Sequence, residues 1–125
     1  MPARILVVED NPKNLRLLRD VLEFWGYQVT AAATGEEGVA LATREQPDLI
    51  LMDLQLPGID GHEALRLLRQ DPTTKGVPVV AVTAFAMQDD RDRAALAGFD
   101  GYLEKPLSVR DLPEQVKAFL KPGTS

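Results

Sequence analysis

Three short runs in this chain of 125 residues are apolar at every position, and they constrain the fold more than any other feature. They are residues 5–8, 49–52 and 79–82. A strand that is apolar on both faces must be covered on both sides, as in the centre of a parallel sheet with helices above and below. The three runs therefore predict three central strands of an α/β domain.

Segments with helical spacing separate these runs, as in repeated βα units. The clearest helix begins at Pro12, which suits a first helical position, and stops at Gly26. Thr34 is predicted to cap a second helix that reaches about Arg44, and Asp60 to cap a third. The apolar stripe of the first helix comprises Leu15, Leu18, Val21, Leu22 and Trp25.

The last two helices have weaker signals. A helix rich in Asp and Arg ends near Gly98, and its many charges indicate a solvated face and loose packing. In the final helix, Ser108 and Asp111 have the spacing of a capping box, but Pro113 leaves its start open because proline lacks a backbone donor. Its apolar side comprises Leu112, Val116, Phe119 and Leu120.

Two shorter and more mixed segments, around Val29 and Tyr102, are predicted to form the edge strands. Right-handed crossovers then permit a doubly wound parallel sheet with the strand order 2-1-3-4-5, a flavodoxin-like (βα)5 architecture. In that order the first and third strands are neighbours at the point where ligands of open α/β sheets bind.

Polar side chains follow the predicted strands and should meet at this edge. Glu9 and Asp10 follow the first apolar run, and Asp53 follows the second. Thr83 follows the third run, and Lys105 follows the last predicted strand. Clustered carboxylates repel one another unless a cation neutralises them, and Mg²⁺ prefers such oxygen ligands. An added hydroxyl and ammonium could bind a phosphoryl group.

Each of these residues has a simpler explanation when it is taken alone. Asp10 could be no more than a residue at the start of the first helix. Asp53 could be a loop acid, and Lys105 could be a solvated surface lysine. Thr83 could be an ordinary residue at a strand end. Their coincidence at successive strand ends favours a functional site.

Composition excludes several classes of function. The net charge is −5 and no basic run is long enough to follow a phosphate backbone, so direct binding of nucleic acid is not expected. Cysteine is absent, which excludes disulfides and thiolate chemistry. Without a signal peptide or a stretch near ~20 apolar residues, we expect a cytoplasmic protein with no membrane contact.

Four motifs resemble the CheY-like receiver domain of bacterial two-component response regulators. They are residues 8–11, 52–61, 82–84 and 102–106. The segment 79–87 is similar to that of single-domain DivK-like receivers, and receivers attached to hybrid kinases share it. The resemblance implies a receiver domain over residues 1–121 and a short tail at 122–125. It also implies that Asp53 accepts a phosphoryl group from a sensor histidine kinase or a histidine phosphotransfer protein.

The resemblance implies a role for each site residue. Glu9 and Asp10 would hold Mg²⁺ or Mn²⁺, with Asp53 and the main-chain carbonyl of Gln55 as further ligands. Lys105 would bind the phosphate, Thr83 would move towards it, and Tyr102 would follow inward. The phosphate-binding and switch group is Thr83, Lys105, Tyr102 and Ala84. The Lys105-Pro106 peptide bond is cis in the family.

The same resemblance implies a regulatory protein and not a conventional enzyme, since it would catalyse only its own phosphorylation and autodephosphorylation. The face formed by the fourth helix, the last strand and the last helix would change shape and bind a downstream protein. We expect a monomer or a weak dimer that depends on phosphorylation.

Gln55 and Phe85 occupy positions that flank the phosphoryl group in this family, and both are uncharged here. We hypothesise that Phe85 hinders the attacking water and prolongs the phosphorylated state, although it could equally pack or dock a partner. His62, the single histidine, is interpreted as a surface or capping residue, because no second histidine or cysteine could complete a metal site.

Three alternatives remain at this point. A phosphatase of the haloacid dehalogenase type places a second Asp two residues after its nucleophile, where this chain has Gln55. A flavin carrier needs a phosphate-binding loop after the first strand, and residues 10–13 do not resemble one. A degenerate receiver would act without phosphorylation, but every expected site residue is present.

Overall fold

The computed structural model describes residues 2–84 and 87–120. Within that part of the chain, five strands alternate with five helices. The elements are β1 Arg4–Val8, α1 Pro12–Phe24, β2 Gln28–Ala32, α2 Gly35–Glu45, β3 Leu49–Asp53, α3 Gly61–Gln70, β4 Val79–Thr83, α4 Gln88–Ala97, β5 Gly101–Glu104 and α5 Leu112–Phe119. None of these helices is long and apolar enough to cross a membrane. The predicted tail at 122–125 lies outside the described residues.

The strands form one sheet in the order β2-β1-β3-β4-β5, and every neighbouring pair is parallel. This confirms the predicted flavodoxin-like topology, with β1, β3 and β4 in the centre. Val8 lies beside Met52, and Asp53 lies beside Val82. Because the central strands end almost level, the residues that follow them lie along one edge of the sheet.

Alternate residues of the central strands supply two separate cores, one on each face of the sheet. Leu6 and Ile50 pack in the core that contains Leu65 of α3. Ile5 and Leu49 pack in the core on the other face, beside α1 and α5. All residues of the three apolar runs are at most 2% exposed, as expected for strands covered on both faces.

The cap of α1 is Asn11 and not Asp10. Asn11 Oδ1 accepts hydrogen bonds from the backbone N–H groups of Lys13 at 2.9 Å and Asn14 at 3.3 Å. The helix-cap explanation of Asp10 is therefore wrong, and its carboxylate is left for another role. Gly26 follows the helix with φ of 92°, a left-handed conformation that glycine adopts without strain.

The other helix starts follow the sequence signals to different degrees. Thr34 Oγ1 accepts a hydrogen bond from Glu37 N at 3.1 Å, and Asp60 caps α3 in the same way. At α5, Ser108 Oγ accepts a hydrogen bond from Asp111 N at 3.3 Å, within a turn that precedes the helix. Pro113 then lies in the first turn of α5, where its missing N–H costs nothing.

Trp25 differs from the sequence expectation, because it is 60% exposed although it continues the apolar stripe of α1. It is the C-cap residue, where the backbone leaves the helical conformation, so it lies at the very end of the stripe. The expectation for α4 is confirmed: among its residues only Ala94 is buried.

Candidate functional site

Glu9 is the first polar residue after β1 and is only 2% exposed. Its backbone N–H donates to the carbonyl of Ala32 at 2.9 Å, which continues the pairing of β1 with β2. Its Oε2 accepts a hydrogen bond from Asn11 N at 3.1 Å, at the start of α1. The turn into α1 therefore fixes this carboxylate at the edge of the sheet, and the next residue, Asp10, is exposed.

Asp53 ends β3 and is 4% exposed. Its Oδ1 accepts a hydrogen bond from Gln55 N at 2.9 Å, which fixes the orientation of the carboxylate. The first residue of α3, Gly61, packs directly against this strand end. A Cβ atom at position 61 would lie 2.7 Å from the carbonyl oxygen of Asp53 and 2.9 Å from Leu54 Cα. Glycine is thus required for this close approach.

Lys105 joins the two acidic strand ends. Its Nζ donates a hydrogen bond to Asp53 Oδ2 at 2.9 Å and lies 2.8 Å from Glu9 Oε1. Its backbone N–H donates to the carbonyl of Thr83 at 2.8 Å, which holds the segment after β5 against the end of β4. The Lys105-Pro106 peptide bond is cis, as the resemblance implied.

The carboxylates of Glu9, Asp10 and Asp53 each offer an oxygen atom, and these oxygens lie within 4.8 Å of one another. Burial raises the pKa of Glu9, and the Asp53 carboxylate raises it further, against the lowering effect of Lys105 and the Asn11 N–H. For Lys105, burial lowers the pKa, but Glu9 and Asp53 outweigh it, so that the pKa is raised. The ammonium group of Lys105 thus contacts two of the three carboxylates, those of Glu9 and Asp53.

These oxygen atoms fit a hard divalent cation. Glu9 Oε1 is buried, and no hydrogen-bond donor among residues 2–84 and 87–120 satisfies it. The ammonium of Lys105 forms an ion pair with this oxygen at 2.8 Å. A buried carboxylate oxygen without a hydrogen bond, beside two further carboxylates, is a suitable ligand for Mg²⁺ or Mn²⁺. The main-chain ligand role of Gln55 stays a prediction.

The other predicted switch residues lie at the end of β4, directly after it, and on β5. Thr83 ends β4 and is buried, whereas Tyr102 of β5 is half-buried and Ala84 is exposed. The pKa of Tyr102 is raised by burial first and by the charge of Asp90 second, while a hydrogen bond with the Thr83 side chain lowers it. The guanidinium of Arg91 lies 5.7 Å from the centroid of the Tyr102 ring. Phe85 lies outside the described residues.

A cleft of about 410 Å³ opens between the loop after β3 and α4. It reaches Gln55 and Thr83, and α4 contributes Asp90 and Arg93 to its wall. His62 also lines the cleft and packs edge-on against Phe99 with ring centroids 5.4 Å apart, which agrees with a surface role. Sequence reasoning missed Asp90 and Arg93, because α4 is charged all round and its pattern does not identify an inner face.

The sheet order and the edge that gathers carboxylates, a hydroxyl and a lysine define a class of regulatory protein. A model of the response regulator receiver domain family matches residues 5–117. The chain belongs to this family, whose members are regulatory domains and not conventional enzymes. Family membership confirms the predicted resemblance and removes support from the phosphatase and flavin-carrier alternatives.

Individual relatives agree with this assignment. The polar-differentiation response regulator DivK of Brucella anthropi is 42% identical over 120 residues, which cover 96% of this chain and 98% of that protein. The chemotaxis protein CheY4 of Vibrio cholerae has a TM-score of 0.91 at 26% identity, covering 96% of this chain and 100% of that one.

A further solved structure is the receiver domain of a sensor histidine kinase from Pseudomonas aeruginosa PAO1. Its TM-score is 0.87 at 39% identity, covering 95% of this chain and 98% of that one. That structure has a magnesium ion coordinated in its active site cleft.

Proposed function

We propose that this protein is a phosphoacceptor, in which Asp53 takes a phosphoryl group from the phosphohistidine of a sensor histidine kinase or a histidine phosphotransfer protein. A carboxylate oxygen of Asp53 attacks phosphorus, the P–N bond breaks, and the imidazole leaves as a neutral ring that keeps the proton on its other nitrogen. The supporting observation is the buried Asp53 carboxylate, with Lys105 Nζ 2.9 Å from its Oδ2 at the ligand-binding edge of the sheet.

Glu9, Asp10, Asp53 and the main-chain carbonyl of Gln55 would hold Mg²⁺ or Mn²⁺. When bound, the cation supplies positive charge that offsets the carboxylates and the charge of the phosphoryl group. The buried Glu9 Oε1 without a hydrogen bond supports this assignment, as does the magnesium site of the Pseudomonas relative.

Lys105 and Thr83 would then bind the phosphoryl oxygens. Lys105 can do so by moving its ammonium only slightly, because it already contacts Asp53 Oδ2. Thr83 would redirect its hydroxyl to the phosphate, with Ala84 as its neighbour in the chain, and so change its hydrogen bond with Tyr102. The face formed by α4, β5 and α5 would then present a different surface to a downstream protein.

Several finer expectations belong to the same proposal. Gln55 and Phe85 would set the lifetime of the phosphorylated state, so Phe85→Glu should accelerate autodephosphorylation. An unchanged or slower rate of autodephosphorylation in Phe85→Glu contradicts this role of Phe85.

The protein would work in the cytoplasm as a monomer or a weak dimer that depends on phosphorylation.

Phosphorylation by a small donor tests the proposal directly. Wild type, Asp53→Ala and the control Asp92→Ala, which removes an exposed acid of α4, are incubated with acetyl phosphate and Mg²⁺ and weighed as intact proteins. We expect a gain of one phosphate in wild type and Asp92→Ala, no gain in Asp53→Ala, and no gain in EDTA. Wild type that stays unmodified overturns the proposal and favours an interaction module that works without phosphorylation.

A further inference from the structure

The cleft lined by Gln55 and Thr83 contains an ion pair to which the proposed function gives no role. Arg93 Nη2 lies 2.6 Å from Asp90 Oδ1, within one turn of α4. The side chain of Asp90 is only 23% exposed, whereas Arg93 is largely solvated. Asp90 is therefore a partly buried negative charge in the same cleft as Gln55 and Thr83.

The charge of Asp90 acts on Tyr102, one of the predicted switch residues. It is the second largest cause of the raised pKa of Tyr102, whose side chain is hydrogen-bonded with Thr83. Asp90 also lines the cleft into which Thr83 faces. A phosphoryl group bound by the Thr83 hydroxyl would therefore lie in the field of the Asp90 carboxylate.

The helix that carries Asp90 is held weakly. Among the residues of α4 only Ala94 is buried, and the N-cap residue Met87 makes no side-chain cap hydrogen bond. Elements with few buried apolar contacts open or shift at low free-energy cost. A change of charge at the cleft can thus move the first turn of α4 more readily than any turn of α1 or α3, each of which buries three or more residues.

We propose that Asp90 senses the phosphoryl group electrostatically: the negative charge added at Asp53 repels the Asp90 carboxylate and displaces the first turn of α4. Arg93, paired with Asp90 in the resting state, limits the strength of this repulsion. The proposal rests on the proposed function, since it needs the phosphoryl group at Asp53.

Thermodynamic linkage makes the proposal measurable. If the bound phosphoryl group displaces Asp90, then Asp90 must in turn weaken the binding of that group. Beryllium fluoride with Mg²⁺ serves as a phosphoryl mimic, and its dissociation constant is obtained from NMR titration. We expect Asp90→Asn to bind it about fivefold more tightly than wild type does, which corresponds to about 1 kcal/mol.

Asp89→Asn is the matched control. Asp89 lies in the same first turn of α4 and is exposed, so its replacement removes the same formal charge and the same favourable interaction with the helix dipole. We expect its dissociation constant to stay within about twofold of that of wild type, because solvent screens an exposed charge. Equal dissociation constants for Asp90→Asn and Asp89→Asn overturn the proposal.

Arg93→Gln distinguishes an indirect role of Arg93 from direct phosphate binding. If Arg93 acts by neutralising Asp90, Arg93→Gln weakens mimic binding about fivefold, and this loss largely disappears in the Asp90→Asn background. An equal loss in both backgrounds means that Arg93 binds the phosphoryl group itself, and the proposal is then wrong.

Hydrogen exchange of the amides of residues 88–97 gives a second readout. Saturating beryllium fluoride should accelerate exchange at the start of α4 in wild type and Asp89→Asn, and much less in Asp90→Asn. Failure of wild type to bind the mimic and to accept phosphate from acetyl phosphate contradicts the proposed function. If wild type is phosphorylated normally, and if beryllium fluoride changes hydrogen exchange equally in wild type, Asp89→Asn and Asp90→Asn, only the role of Asp90 is contradicted.

Discussion

Lys105 and Asp53 are joined by a hydrogen bond of 2.9 Å between Nζ and Oδ2, although 52 positions separate them in the sequence. The same ammonium lies 2.8 Å from Glu9 Oε1, so one cation neutralises parts of two buried acids. Because a buried charge without a partner is costly, Lys105 stabilises the site before any phosphate arrives.

Lys105→Met should therefore lower the free energy of unfolding in EDTA by about 2 kcal/mol. The loss comes from two buried carboxyl groups that no longer have their cation partner. A divalent cation can replace part of that charge, so Mg²⁺ should stabilise Lys105→Met more than it stabilises wild type. Urea unfolding of both proteins in EDTA and in Mg²⁺ gives the four free energies needed.

Lys75→Met is the control for this experiment, because Lys75 is exposed on the loop after α3. It removes the same charge and should leave both the stability and the response to Mg²⁺ close to those of wild type. A similar response to Mg²⁺ in Lys105→Met and Lys75→Met would contradict the link between the lysine and the proposed metal ligands.

The raised pKa of Glu9 predicts a pH dependence of stability. Burial and the Asp53 carboxylate favour the protonated form in the folded protein. The stability that this proton contributes is fully present below 4.5, the pKa of Glu9 in the unfolded chain. It is lost as the pH rises through the higher pKa of Glu9 in the folded protein. Without divalent cations, Glu9→Gln should therefore become progressively more stable relative to wild type as the pH rises from 4.5.

Urea unfolding of wild type and Glu9→Gln in EDTA, at several pH values from 4.5 to neutrality, measures this difference. Glu23→Gln makes the same chemical change at an exposed position of α1 and is the control. If the advantage of Glu9→Gln is constant or shrinks as the pH rises, the environment of Glu9 does not disfavour its charge.

The central strands and the site could be predicted because both follow from one geometric fact. Runs that are apolar on both faces must be central, and in a parallel sheet the residues that follow the strands, central or edge, meet at one edge. Asp53 and Lys105 were thus placed together without any tertiary information. Thr83 reaches the same edge, since it follows the third apolar run and ends β4.

What the sequence could not predict depends on directions and distances within the tertiary structure. Asn11 and Asp10 are equally good caps by residue type, and only the backbone at the helix start selects Asn11. Trp25 fits the helical period, yet the backbone turns away at that residue. The inner position of Asp90 on a helix charged all round carries no periodic signal either.

Gly61→Ala should disturb Asp53 without needing to unfold the protein. The added Cβ would lie 2.7 Å from the Asp53 carbonyl oxygen and 2.9 Å from Leu54 Cα, and neither backbone atom can give way without moving the strand end. We expect a stability loss of about 2 kcal/mol. Since reacting groups are sensitive to small displacements, phosphorylation by acetyl phosphate should slow about tenfold.

Gly26→Ala separates the two effects. Its φ of +92° strains any side chain, but nothing lies within 4 Å of the added Cβ atom. It should lose about 1 kcal/mol of stability through backbone strain alone and keep the wild-type rate of phosphorylation. If Gly26→Ala slows the reaction as much as Gly61→Ala does, general destabilisation and not displacement of Asp53 is the cause.

Arg69 of α3 connects the elements at the other end of the sheet from the site. Its Nη2 donates to Asp100 Oδ2 at 2.8 Å, and its Nη1 donates to the carbonyl of Val77 at 2.7 Å. Asp100 Oδ2 also accepts from Val79 N, the first residue of β4. Arg69→Met should therefore cost about 2 kcal/mol, since hydrogen bonds of a charged group to partly buried partners are lost together.

Arg66→Met is the matched control on the same helix, because Arg66 is exposed and pairs only with Glu63 among the described residues. Its replacement should change stability little, as for other surface ion pairs. Urea unfolding measures both effects. Because the contacts of Arg69 lie away from Asp53, both variants should accept phosphate from acetyl phosphate at the wild-type rate. Slower phosphorylation of Arg69→Met would mean that the contacts of Arg69 with β4 and with the turn before β5 affect the positions of Thr83 and Lys105.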